Sequence, residues 1–314
     1  GRPAGARRAR AGARARRPLE YAAAAVNGVF APIPTPFDAA TGDLAQGPLR
    51  RNIGHLVAHG LAGIVVSGST GEAPLLDVDE QRRLVAAARA AMSDGPRLIA
   101  GTGAESTRQT IALSRAAAAE GADAVLVRPP GYFAAAHTPA TLVTHFRAVA
   151  DASPVPVLIY NIPKYTHLPL AAALLEQLAG HARIAGVKDS SGDLQNLAGY
   201  RAAVPAWIVL VGSASLLSAA LELGCQGGIV GVACFAPALC AELVTEFHAG
   251  RRAAAGALQE RITPLDKEIV VKLGPAGVKA AMDAIGLYGG PVRPPLAPVS
   301  AADQDRIAAL VRGD

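Results

Sequence analysis

Residues 155–161 read VPVLIYN, and residues 183–188 read RIAGVK. Both runs are almost continuously apolar rather than alternating, which is the pattern of parallel strands covered on both faces. Residues 170–179 between them carry a helical pattern, so the unit reads β–α–β. The same pattern repeats on either side. Further strand candidates are GVFAPIP (28–34), GIVVSG (63–68), RLIAGT (97–102), AVLVRP (124–129), WIVLVG (207–212) and GGIVGV (227–232). Helical stretches are expected at 79–92, 105–120 and 139–151, and the first of these, DEQRRLVAAARAAM, opens with the acids that a helix N-terminus favours. Eight β–α alternations predict an α/β fold of the closed (β/α)8 TIM-barrel type. An open doubly wound sheet would want GxGxxG after its first strand. The chain offers only GTG at 101–103, after the third.

The barrel is expected to occupy residues 26–235. Residues 236–314 read as C-terminal helices at 236–249, 252–270, 275–285 and 300–312, with the Pro-rich YGGPVRPPLAP (288–298) between the last two. Residues 1–25 form a basic extension, expected to be disordered.

The chain has 314 residues, 51% hydrophobic and 18% charged, a globular composition long enough for a full core. Its net charge of +5 comes from the extension, because residues 1–17 hold seven arginines and no acid. The remainder carries 23 basic against 25 acidic residues. A near-neutral body with no nucleic-acid motif predicts no nucleic-acid partner. The extension has no serine or threonine and no apolar core of a secretory signal, and organelle targeting is the weaker alternative for it. Residues 202–221 hold no charge over a length that could span a bilayer. Pro205, Gly212 and three serines interrupt them, so a strand, a turn and a packed helix are expected and no membrane partner. Cys225, Cys234 and Cys240 show neither CxxC nor a Cys/His metal spacing, which predicts buried thiols in a reducing, cytoplasmic setting.

Only five lysines occur: Lys164, Lys188, Lys267, Lys272 and Lys279. Lys188 alone ends an apolar strand, at the barrel face where active sites form. A lysine losing hydration there exposes a nucleophilic amine, as Schiff-base chemistry requires. The bland reading pairs it with Asp189. The second strand ends in SGSTGE (67–72), whose amides and hydroxyls at Ser69 and Thr70 can converge on a carboxylate, although an ordinary βα turn reads the same way. The fifth ends in YNIPKYTH (160–167), where Tyr160 can move a proton beside Lys188 or simply pack.

Taken in order, GSTGE, YNxP and GVKDSSGD resemble the dihydrodipicolinate synthase / N-acetylneuraminate lyase family of class I, Schiff-base-forming aldolases. The resemblance runs from about residue 26 to the C-terminus and includes GTGAEST (101–107), EGADAVLV (120–127) and GLYGGPVRPPL (286–296). It implies Lys188 as the Schiff-base lysine and Tyr160 as the proton-relay tyrosine, with Ser69 in the relay. Ser69 and Thr70 would hold the keto-acid carboxylate. Tyr132, in PPGYF, matches a tyrosine that many members lend to a neighbouring subunit, so a homo-oligomer built as a dimer of dimers is implied. Gly212 and Val230 are implied on the substrate's path. The implied partners are a 2-keto acid and an aldehyde. No metal or other cofactor is implied, because the iminium acts as the electron sink.

Dihydrodipicolinate synthases place an arginine five residues after the strand-five tyrosine. Here that position is Tyr165, which cannot replace a bidentate guanidinium, with Lys164 beside it only a point charge. The edges GSASLL (212–217) and GVACFAP (231–237) are small and apolar. They suit a short second fragment rather than a polyol tail. The segment around Lys188 and the YGGP tail resemble the 4-hydroxy-2-oxoglutarate aldolase branch, with Ser190 as a ligand for a distal carboxylate or else a turn hydroxyl. Alternatives are a 2-keto-3-deoxy sugar-acid aldolase or dehydratase, and a non-catalytic keto-acid binder on the same barrel. Of the histidines, His137 and His167 are expected in loops above the active face, and Cys234 is expected to border the site.

Overall fold

A computed structural model describes residues 26–313, so the basic extension lies outside the described residues. Eight parallel strands close into a barrel in sequence order. They are β1 Gly28–Pro32, β2 Gly63–Val66, β3 Arg97–Gly101, β4 Ala124–Val127, β5 Val157–Asn161, β6 Ile184–Asp189, β7 Ile208–Val211 and β8 Gly227–Ile229. Closure is made where Gly28 of β1 pairs with Gly227 of β8. The continuous apolar runs have a simple cause. Residues such as Val125, Ile159, Val187 and Val209 pack outward under the helices, while Phe30, Val65, Ile99, Leu158, Leu210 and Ile229 fill the lumen. The barrel interior is therefore a packed core, as the fold requires.

The helices after the first four strands are α1 Gln46–Ala58, α2 Val78–Ala91, α3 Thr107–Ala119 and α4 Pro139–Ala152. Side chains set their starts. Asp77 and Glu80 form a reciprocal capping box on α2, Ser106 caps α3, and Thr138 caps α4 ahead of Pro139. After β5 come two short helices, α5 Pro163–Thr166 and α6 Ala172–Glu176, so the helix expected over 170–179 is present but shorter, passing into turns after Glu176. Then follow α7 Leu194–Ala203, α8 Leu217–Glu222 and α9 Pro237–His248. The uncharged run 202–221 divides into β7, a turn and the start of α8. Among the described residues no helix is long and apolar enough to cross a membrane.

Helix α9, which follows β8, packs against β1. The appendix proper begins with α10 Arg252–Leu265. The expected single helix 252–270 loosens into a π-helical turn over Asp266–Val271, two residues after Pro264. Proline lacks the N–H that would continue the ladder, and such turns often mark functional positions. Next come α11 Lys272–Ala284, broken at Gly274 (φ 58°, ψ −143°), and α12 Ala301–Arg312.

Strand β6 carries the detail that matters most. Val157 pairs with Ile184 but Leu158 pairs with Gly186, so Ala185 is an extra residue in β6. Beyond this bulge Tyr160 pairs with Lys188 and Asn161 with Asp189. Without it Tyr160 would face Val187, and Lys188 would turn outward under the helices.

His145 on α4 is buried, with Nδ1 2.9 Å from Thr107 Oγ1 and no partner for Nε2. Burial, reinforced by His137 and Arg128, pushes its pKa down to about 4. The folded chain therefore keeps the ring neutral at pH values where the unfolded chain protonates it. Stability is lost as pH falls from about 6.5 toward 4, by about 3 kcal/mol for this group. Urea unfolding at pH 7 and pH 4.5 tests this. The native chain should lose about 2–3 kcal/mol more than His145→Gln over that interval. Equal losses would show that the ring is not held neutral.

Candidate active site

At the C-terminal rim of the barrel lies a cavity of about 250 Å³. Lys188 and Tyr160 form its floor, with Pro32, Ser69, Thr70, Ser190, Gly212, Ser213, Ile229 and Gly231 around them. Both floor residues are more than nine-tenths buried, and Lys188 Nζ lies 4.3 Å from the centre of the Tyr160 ring. The amine thus lies against the ring face, out of bulk water.

The pairing of Lys188 with Asp189 does not occur. Strand alternation sends Asp189 to the opposite face, where it accepts bonds from Asn161 Nδ2 (2.6 Å), Ser191 Oγ (2.6 Å) and Asn196 Nδ2 (3.0 Å). Burial raises the Asp189 pKa, against the pull of these donors. Among the described residues Lys188 forms no ion pair, so its amine is free of a carboxylate partner.

The loop after β2 holds Ser69 and Thr70 between two non-glycine residues of left-handed backbone, Ser67 (φ 53°) and Glu72 (φ 57°). Glu72 N donates to Ser69 O (3.1 Å), and Thr35 Oγ1 donates to Gly71 O (2.6 Å). After β7, Gly212 leaves room for Ser190. A Cβ at Gly212 would lie 1.9 Å from Ser190 Oγ.

The cavity gathers Lys188, Tyr160, Ser69, Thr70, Ser190 and Gly212 together. Two expected residues stand apart. Val230 is fully buried in the layer between barrel and helices, and its neighbours Ile229 and Gly231 line the cavity instead. The β-period explains this, because the residue after a lumen-facing one points outward. Tyr132 is 81% exposed, stacked edge-on with exposed Phe133 at 4.9 Å, and does not reach the cavity of its own chain. Glu105 Oε2 accepts both the Gly131 and Tyr132 amides, at 2.9 and 2.8 Å. His137 and His167 do not line the cavity either. Cys234 is fully buried behind the wall, bonded to Pro32 O, with its thiol pKa pushed up by burial.

Sequence reasoning missed the roof. Asp266, Val270, Val271, Gly274, Pro275 and Val278 of the appendix close the cavity from above. Asp266 is fully buried. Its Oδ2 accepts from Ser213 Oγ (2.7 Å) and Ser215 N (2.9 Å), which ties the roof to the loop after β7. Lys164 and Tyr165 complete the rim. Lys164 Nζ donates to Val271 O (3.1 Å), and burial, with Tyr160 adding to it, raises the Tyr165 pKa. The sequence signals for this roof were Pro264 and Gly274, both breakers inside helical patterns.

A buried amine, a phenol beside it and a hydroxyl-bearing loop at a barrel mouth are groups that suit an aldolase-type lyase. Residues 25–313 match the model of the Dihydrodipicolinate synthetase family, and the chain belongs to that family. A 4-hydroxy-tetrahydrodipicolinate synthase from Moorella thermoacetica is 37% identical over 281 residues, covering 88% of this chain and 94% of the relative. A protein named as a probable mitochondrial 4-hydroxy-2-oxoglutarate aldolase from Emericella nidulans is 38% identical over 282 residues, covering 88% and 91%. Among solved structures, YagE of E. coli K12, a member of the dihydrodipicolinic acid synthase family determined with pyruvate, superposes with a TM-score of 0.87. It is 27% identical, covering 92% of this chain and 98% of YagE.

Gly212→Ala should force Ser190 out of its place and raise the concentration of a keto diacid such as 2-oxoglutarate needed for half-maximal borohydride trapping by about 10–100-fold. Trapping indistinguishable from the native chain would remove Ser190 and Gly212 from the keto-acid site.

Proposed function

We propose that the chain is a class I aldolase that splits a short 4-hydroxy-2-keto acid into pyruvate and an aldehyde, with 4-hydroxy-2-oxoglutarate as substrate and glyoxylate as the leaving aldehyde. The observation that carries this reading is the unpaired Lys188 amine against the Tyr160 ring in a covered cavity.

Lys188 attacks the C2 carbonyl, and loss of water leaves an iminium. Ser69 and Thr70 hold the C1 carboxylate. Tyr160 takes the proton from the 4-hydroxyl, and the C3–C4 electrons flow into the iminium as glyoxylate leaves. The resulting enamine is protonated at C3, and water releases pyruvate and the free amine.

Two features support the short, acidic tail. The cavity is below the range of about 300–1,000 Å³ usual for drug-sized ligands, which suits a small acyclic acid. The distal carboxylate would meet Ser190 Oγ and the Lys164 ammonium at the rim. Tyr165 stands in place of the arginine that grips the second substrate's carboxylate in dihydrodipicolinate synthases, and a phenol offers one donor where a guanidinium offers a fork. The exposed Tyr132–Phe133 pair supports an oligomer in which Tyr132 completes a neighbour's proton relay.

The test combines trapping with turnover. Borohydride reduction in the presence of pyruvate should leave a pyruvate-sized adduct on Lys188, absent in Lys188→Ala. Cleavage of 4-hydroxy-2-oxoglutarate should exceed condensation of pyruvate with aspartate 4-semialdehyde by at least about 100-fold in kcat/KM. Tyr165→Arg should narrow that gap. No adduct on the folded native chain would sink the Schiff-base reading, and a preference for the semialdehyde would sink the choice of substrate.

A further inference from the structure

The fully buried pair of Glu72 and Lys279 lies outside the mechanism above, yet it is joined to it by one turn of chain. Glu72 closes the GSTGE loop and Lys279 lies on α11, more than 200 residues later. Their charged atoms are 2.5 Å apart. Lys279 Nζ also donates to Pro291 O (2.6 Å), and Arg293 N donates to Glu72 Oε2 (2.8 Å). The Phe37 ring has Lys279 Nζ 4.5 Å and the Arg293 guanidinium 4.1 Å from its centre. Arg293 is itself held by a two-pronged bond to Glu80, at 2.6 and 2.7 Å.

A charged pair removed from water costs more than its attraction returns unless its geometry is fixed by further bonds. Nothing in packing a barrel requires such a pair here. Moreover, Glu72 holds φ at 57°, a conformation that disfavours a side chain and persists only where surroundings enforce it. Glycine would adopt it without cost, and Gly71 is next door. A glutamate at that position therefore serves through its side chain. The enforced turn directs Glu72 N to Ser69 O and so sets the course of the Ser69–Thr70 backbone over the cavity.

We propose that Glu72 and Lys279 are positioning residues: the C-terminal appendix, through this buried ion pair, holds the Ser69–Thr70 loop in the shape that binds the keto-acid carboxylate. This rests on the aldolase reading above. It predicts that keto-acid affinity, rather than the reactivity of Lys188, depends on a contact made far away in sequence.

The measurement is borohydride trapping on the full chain as a function of pyruvate, giving a half-saturating concentration and a rate at saturation. Glu72→Gln/Lys279→Met removes both charges together and leaves neither buried unpaired. It should raise the half-saturating concentration by about 10–100-fold, with the saturating rate within about threefold of native. Glu72→Gly keeps the turn without the clamp and should shift in the same direction. A folded double variant with native half-saturation would overturn the proposal, as would one that loses rate at saturation with half-saturation unchanged. If the double variant does not fold, Lys279→Arg takes its place. It keeps the charge and changes the reach, so it should still raise half-saturation, and an unchanged value overturns the proposal equally. A native chain that pyruvate never traps fails at a different point, because it removes the Schiff-base reading itself and this proposal with it.

Discussion

One extra residue in β6 decides where Lys188 points. Ala185 shifts the register against β5, and from there on Tyr160 and Lys188 share the lumen while Asn161 and Asp189 share the outer layer. The two rows then serve different ends. The outer pair locks the end of β6 to α7, because Asp189 accepts from Asn161 and from Asn196 one turn into that helix. The inner pair is left without a carboxylate, so the amine is neither neutralised by a partner nor displaced from the phenol. A slip of one residue would exchange these roles, burying a lysine beneath helices and sending an aspartate into the cavity.

A buried amine also needs a cover, and the barrel alone does not provide one. The π-helical turn at Asp266–Val271 and the break at Gly274 bend the appendix across the mouth. Three bonds then connect it to three rim loops: Asp266 to Ser213, Val271 O to Lys164, and Lys279 to Glu72. The irregular backbone of the appendix is thus what lets one segment serve as roof and as clamp.

The barrel was legible because its signal is collective. Eight apolar runs at regular spacing survive errors of one or two residues at each end, and the helix starts carry their own caps, such as Asp77 and Ser106. The floor was legible for a related reason: a lone lysine ending an apolar strand has few explanations. Two kinds of information were not legible. The bulge at Ala185 cannot be read from IAGVK, because an extra residue looks like any other until its partner strand is known. The roof depended on contacts between residues such as Ser213 and Asp266, which no periodicity links. Val230 falls outside the cavity because of the period of two, and Lys164 lies at the rim with its ammonium on Val271 O.

The loops after β3 and β4 do not line the cavity but are bonded to one another. Glu105 grips the amides of Gly131 and Tyr132, so the backbone under the exposed Tyr132 phenol is fixed although the ring is in water. Holding a loop rigid while leaving two adjacent aromatic rings uncovered wastes both the ordering and the apolar surface, unless something else covers them. In the chain's own cavity Tyr160 lies beside the amine and Tyr165 stands at the rim, while Tyr132 does not reach it. On the proposed reading, a second copy of the chain would answer both: it would cover the rings and bring Tyr132 to a relay begun by Tyr160 and Ser69. On the proposed reading, the catalytic unit is then larger than the barrel that carries its lysine.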